Sequence, residues 1–238
     1  MVLLCAATLV AYYLKGLCGF ANTLVYTTIM SFGANNISIS PLELLTGYPS
    51  NLIIALRERR SIRWPVVLST TALLLLGSLP GVFLLKTGDS RLIKLALGAV
   101  IILVAAQTYW RDKHPRPAKA SPAVMTLVGL LSGLLCGLYG IGALMAAYLS
   151  RVTPDTHAFK ANTCMVFFLE NTCRIILYAC TGVLTLELVS TALLMLPVML
   201  LGLYLGMKSA SFVNEQTARK LVIAALALSG AALMLAQV

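Results

Sequence analysis

Apolar residues fall into ten runs, at approximately 2–14, 20–32, 41–56, 65–86, 92–110, 123–138, 141–149, 161–180, 186–207 and 218–237. A helix that spans a bilayer needs roughly 20 such residues, so the pattern predicts an all-α polytopic membrane protein of about six to eight spans. The punctuation between the runs is informative. Arg57, Arg59, Arg60 and Arg63 close the third run, and Pro65 opens the fourth, where the first turn of a helix tolerates proline. The most polar stretch contains Arg111, Asp112, Lys113, His114, Pro115, Arg116, Pro117 and Lys119. It reads as a cytoplasmic basic linker over 111–121, between a first membrane repeat at 1–110 and a second at 122–238.

The two halves echo one another. Gly16-Leu17-Cys18-Gly19-Phe20 matches Gly137-Leu138-Tyr139-Gly140-Ile141 at an offset of 121. Asn51 matches Asn171, and Thr71-Ala72-Leu73-Leu74 matches Thr191-Ala192-Leu193-Leu194, both at 120. Lys94 and Lys220 both lie early in the last run of their half. These features imply a duplication of about 120 residues. Each half opens with two short runs separated by glycines, either one broken helix that crosses or a re-entrant hairpin. Four crossings per half would make the repeats parallel, and three would make them inverted.

Basic residues arbitrate, because cytoplasmic connectors carry an excess of Lys and Arg. With the linker inside, parallel repeats leave eight basic residues on each face; inverted repeats leave thirteen inside and three outside. The expected architecture is therefore two inverted repeats, each a re-entrant or broken helix hairpin plus three spanning helices.

Composition narrows the field further. The chain of 238 residues is 59% apolar and 11% charged, with mean hydropathy +0.91, which excludes a soluble enzyme, a disordered tail or a disulfide-stapled module. The net charge of +10 sits in connectors rather than on a basic face with interleaved aromatics, so no nucleic-acid partner is expected. Residues 1–14 lack the charged start and cleavage site of a signal peptide. The six cysteines lie in apolar stretches without a C-x-x-C pair and read as small hydrophobes. His114 and His157 sit in or beside polar connectors. No metalloprotease, hydrolase or metal-spaced Cys/His motif occurs, so neither enzymatic activity nor a cofactor or metal is expected.

The glycine motifs suit re-entrant tips, where irregular backbone survives if it is buried or lines a polar cavity. A second arm starting just after Gly19 and after Gly140 would aim its free N–H groups and positive dipole end toward mid-depth. Two such ends would suit a small anion. The candidate binding residues are Lys15, Gly16, Gly19, Phe20, Asn22, Asn51, Gly137, Tyr139, Gly140, Gly142, Asn171 and Arg174, with Thr23 as a further donor. Close helix packing is the competing reading for the glycines, above all for Gly129 and Gly133 in a ladder with Gly137. Intramembrane charges face a cavity or a partner. Arg174 either supplies charge to the site or pairs with Glu170 one turn away, and Lys15 either faces the site or snorkels. Glu170 is a candidate for proton coupling, and Asn51 either binds ligand or bridges helices.

These motifs, the arginine connector after Asn51 with Trp64, the basic linker and the duplication resemble the sulfite exporter TauE/SafE family over essentially the whole chain. Where that family commonly carries further glycines, this chain has Ala21-Asn22 and Ala143-Leu144. The resemblance implies a secondary transporter of the bacterial inner membrane, carrying sulfite, organosulfonates or related acids. An anion channel and a non-transporting membrane subunit are the alternatives.

Overall fold

The computed structural model describes residues 1–31, 36–87, 99, 102–103, 106, 122–140, 142–153 and 155–210. They form eight helices: α1 (Val2–Cys18), α2 (Asn22–Ser31), α3 (Asn36–Arg57), α4 (Trp64–Thr87), α5 (Pro122–Tyr139), α6 (Ala143–Val152), α7 (Thr156–Cys180) and α8 (Leu186–Ser209). A short 3-10 turn, Arg59–Ser61, joins α3 to α4. The expected run at 92–110 apart from 99, 102–103 and 106, the run at 218–237, the linker 111–121 with His114, and Lys94 and Lys220 lie outside the described residues.

Three stretches, Trp64–Leu84, Thr156–Cys180 and Leu186–Ser209, are long and apolar enough to cross a membrane. Their surface is apolar: Leu68, Leu76, Leu79 and Phe83 of α4 and Leu193, Leu194, Leu201 and Tyr204 of α8 are all exposed. The interior joins an apolar core to a group of buried polar side chains, Lys15, Glu43, Asn51, Glu170 and Arg174 among them. An apolar surface around charges held inside suits a hydrocarbon solvent. α3 has the length of a span, 22 residues, but buries Ser40, Glu43, Thr46, Ser50 and Asn51, so it belongs to the interior.

Paired contacts set the helix directions. Tyr12 meets Glu43, and Lys15 meets Asn51 further along both helices, so α1 and α3 run the same way. Tyr48 meets Thr172 while Ser40 meets Tyr178, so α7 opposes α3. Arg63 meets Asn162 before the start of α4, and Val82 clusters with Tyr178 late in it, so α4 follows α7. α1, α3 and α8 therefore run one way, and α4, α5 and α7 the other. Only 32–35 separate α2 from α3, so α2 brings the chain back after α1.

Two glycine contacts weld this bundle. In one, Gly206 of α8 stands against Tyr13 and Gly16 of α1, and Gly202 against Leu9. In the other, Gly81 of α4 stands against Leu134 and Gly137 of α5, and Gly77 against Leu130 and Gly133. Leu9, Tyr13 and Gly16 are each 121 positions before Leu130, Leu134 and Gly137, so the contacts use matching residues. A Cβ at Gly16 would come 2.6 Å from the Leu203 carbonyl oxygen, and one at Gly137 would come 2.8 Å from the Gly81 Cα. Backbones approach this closely only without side chains. Gly16 and Gly137, expected at the binding site, stand in these helix contacts and are not among the residues that line the cavity described below.

The outer helices thus hold the tips of the inner pairs in place. Arg57, Arg59, Arg60 and Arg63 lie at the same end as Lys160 and Lys208: His157 bonds Glu58 at 2.9 Å, Lys160 reaches the Leu17 carbonyl at 3.2 Å, and Arg57 touches Met207 at 3.3 Å.

Candidate functional site

Both inner hairpins turn on a glycine in the left-handed region. Gly19 (φ 83°) ends α1 by donating to the Lys15 carbonyl at 2.7 Å; Gly140 (φ 73°) ends α5 by donating to the Cys136 carbonyl at 2.8 Å. The new arms begin at Asn22 and Ala143 rather than directly after the glycines. Ala21 also has a positive φ, 77°. A side chain is strained there.

α7 secures both turns by donating side-chain hydrogen bonds to carbonyls at the helix ends. Lys160 Nζ donates to the Leu17 carbonyl and Cys164 Sγ to that of Gly19, at 3.2 and 3.5 Å. Two turns and more along, Arg174 Nη1 donates to the Cys136 carbonyl and Tyr178 Oη to that of Gly137, the latter at 3.4 Å. The turns meet: a Cβ on Gly140 would lie 3.0 Å from Thr23 Cγ2, in the first turn of α2.

Between them is a cavity of about 40 Å³, lined among others by Lys15, Phe20, Asn22, Asn51, Gly140, Gly142, Glu170, Asn171 and Arg174. One water needs about 10–15 Å³ measured this way, so the space suits a group of a few heavy atoms. Gly19 is not among the lining residues, since a Cβ there would come 2.8 Å from the Lys160 side chain. The Tyr139 side chain lies outside the described residues.

Lys15 is buried, with Nζ 2.6 Å from Asn51 Oδ1; it does not snorkel. Arg174 Nη2 is 3.0 Å from Asn171 Oδ1, and its Nε is 3.7 Å from Glu170 Oε1 without a hydrogen bond. Each cation thus fixes the carbonyl of one asparagine, and neither Asn51 Nδ2 nor Asn171 Nδ2 donates to a described protein acceptor. α6 begins at Ala143; its N-cap, Gly142, lines the cavity, and no side chain caps the helix there. Both oxygens of fully buried Glu170 lack a hydrogen-bond donor.

Sequence reasoning missed Glu43. It lies in the run 41–56, where any acid within an apolar span is a signal for function. Its Oε1 accepts from Asn22 Nδ2 at 2.5 Å, Thr23 Oγ1 at 3.0 Å and Tyr12 Oη at 3.4 Å. A carboxylate of the protein itself thus sits at the start of α2, where the sequence suggested a foreign anion. Ala21, Leu24, Gly47, Cys136, Ala146 and Phe167 complete the wall without having been foreseen as binding residues.

A family model described as "Sulfite exporter TauE/SafE" matches residues 4–233. No curated protein and no solved structure matches the chain.

Proposed function

Since the chain belongs to the sulfite exporter TauE/SafE family, we propose that it is a secondary transporter that moves a small anion across the bacterial inner membrane by alternating access. Sulfite, an organosulfonate or a related small acid is the substrate class. The observation that carries this reading is the cavity between the turns, where two cations, two asparagine amides and an uncapped helix start converge on a space of about 40 Å³. That size favours a compact oxyanion over a bulky organic acid. Charge-assisted donors are strong ligands for such a group.

An inverted duplication is the matching architecture. Its support is that α1, α3 and α4 run opposite to α5, α7 and α8, respectively, and that the two glycine contacts use matching residues. The hairpins would then be re-entrant from opposite faces, with the end bearing Arg57, Arg59, Arg60 and Arg63 cytoplasmic. One repeat rocking against the other would expose the cavity alternately. The closed side is formed by Tyr178, which bonds Ser40 at 3.2 Å and packs on Leu44 and Val82. Beyond lies a second cavity of about 460 Å³, bordered by Ser38, Leu42, Thr185 and Leu188, a vestibule on the side away from the arginines.

Purified protein in proteoliposomes tests the reading. Sulfite, methanesulfonate, thiosulfate and small carboxylates are compared for counterflow, since an exchanging carrier shows trans-acceleration and a channel does not. Lys15→Met is expected to raise the half-saturation concentration at least about tenfold, the lower range for a buried charge-assisted hydrogen bond. Unaltered counterflow in that variant would remove Lys15 from the site.

Tyr178→Phe loses both hydrogen bonds of the closure, each about 1 kcal/mol. In a chain whose other five cysteines are replaced, a membrane-impermeant thiol reagent added on the vestibule side should reach Cys136 roughly thirtyfold faster, since tenfold corresponds to about 1.4 kcal/mol. An unchanged labelling rate would mean that this tyrosine does not hold the gate.

A further inference from the structure

Resting on the transport reading, we propose that Glu43 is the carboxyl that couples anion movement to protons, taking its proton on Oε2 and donating it as a hydrogen bond to the bound anion. Glu170 is instead the standing counter-ion of Arg174.

The two oxygens of Glu43 have different surroundings. Oε1 receives Asn22, Thr23 and Tyr12, and an oxygen that accepts so many donors has no room to carry a proton. Oε2 points the other way: a Cβ built on Gly140 would lie 3.5 Å from it and 3.7 Å from Arg174 Nη1. Glu43 and Arg174 therefore flank Gly140 at the approach to the uncapped start of α6. An anion seated there meets a negative oxygen when Glu43 is ionised, and a hydroxyl donor when it is protonated.

Charge balance points the same way. The charged groups in the described cavity wall are Lys15, Arg174, Glu43 and Glu170, which sum to zero when all are ionised. A monovalent anion would make this buried space net negative, at considerable cost; one proton restores neutrality. The groups facing Glu43 electrostatically are Lys15 and Tyr12 from α1, Tyr26 from α2, Cys136 from α5, and Arg174 and Glu170 from α7. Of the two acids, Glu170 is the one lying one turn from Arg174 at 3.7 Å, so its charge is spent on holding that guanidinium. The step conserves atoms: a proton from one aqueous face joins Glu43 Oε2, travels with the anion, and leaves to the other face after the anion departs.

Sulfite and methanesulfonate uptake into proteoliposomes is measured with and without a pH gradient, beside counterflow at equal pH. A gradient of one pH unit should drive about tenfold accumulation per coupled proton in the wild-type protein. Glu43→Gln should lose that accumulation and show a counterflow rate that no longer responds to pH, whereas Glu170→Gln should keep gradient-driven accumulation at a reduced rate. Gradient-driven accumulation retained in Glu43→Gln overturns the proposal while leaving the transport reading intact. Absence of counterflow by the wild-type protein with every anion overturns both.

A measurement without substitution guards against a variant that fails to fold. Wild-type protein in weakly buffered detergent solution should take up about one proton for each methanesulfonate or sulfite bound, after correction for the anion's own titration. Binding without proton uptake overturns the proposal.

Discussion

Arg174→Ala is expected to abolish counterflow and to destabilise the folded protein by about 3–5 kcal/mol, the cost of leaving one partner of a buried pair uncompensated. Two groups lose their partner together, the Glu170 carboxylate and the Asn171 side-chain carbonyl, and the Cys136 carbonyl at the end of α5 is left with the Gly140 N–H alone. Arg174→Lys should recover little, because a single ammonium cannot reproduce a planar fork that reaches two acceptors at once. The double variant Arg174→Met with Glu170→Gln separates structure from transport. It removes the stranded charge, so its unfolding midpoint in detergent should rise above that of Arg174→Ala, while counterflow stays absent. Full counterflow in the double variant would show that the guanidinium only staples α5 and never meets the anion.

Gly137→Val should have a comparable effect through packing alone. Its side chain would be driven into the Ser78 carbonyl and to within 2.8 Å of the Gly81 Cα and 2.9 Å of the Val82 nitrogen. All three are backbone atoms that cannot rotate away, so α4 and α5 must separate. Overpacking of this kind costs about 1–3 kcal/mol, occasionally more, and here the strain falls next to the tip that carries Gly140. Gly206→Val should behave alike, since it strikes the Tyr13 carbonyl and the Gly16 Cα in the matching contact. Gly129→Ala provides the contrast, because it meets only the Leu73 side chain, which can shift. The yield of monodisperse protein and its thermal midpoint would rank the three; equal behaviour would mean that the glycine contacts do not hold the bundle together.

The positions that escaped the sequence reading do so for identifiable reasons. Gly16 and Gly19 stand three residues apart in one motif, yet one packs on Gly206 and the other turns the chain. Helical phase decides the first role and the left-handed dihedral the second, and neither is visible in residue identity. Lys15 was ambiguous because a lysine can face lipid headgroups or the interior with equal chemistry. Its burial against Asn51 follows from α1 and α3 running the same way, which is a property of the packed bundle. Glu43 was overlooked because one acid in a long apolar run changes its average character very little. Only the arrival of Asn22, Thr23 and Tyr12 around it reveals what it does.

What the chain alone determined is the solvent it folds in and the units it folds into. Apolar runs of bilayer length demand helices, because lipid offers backbone groups no other partner. Glycines at matching places in two halves mark where those helices break, and the basic connectors rank the possible orientations. The tertiary structure alone decided which of two equivalent-looking glycines would pack and which would turn, and which carboxylate would meet which cation. Those outcomes depend on distances of a few ångströms between residues more than a hundred positions apart, such as Ser40 and Tyr178 or Gly16 and Gly206. Electrostatic and steric energies vary steeply over such distances, whereas a linear pattern carries only order and spacing.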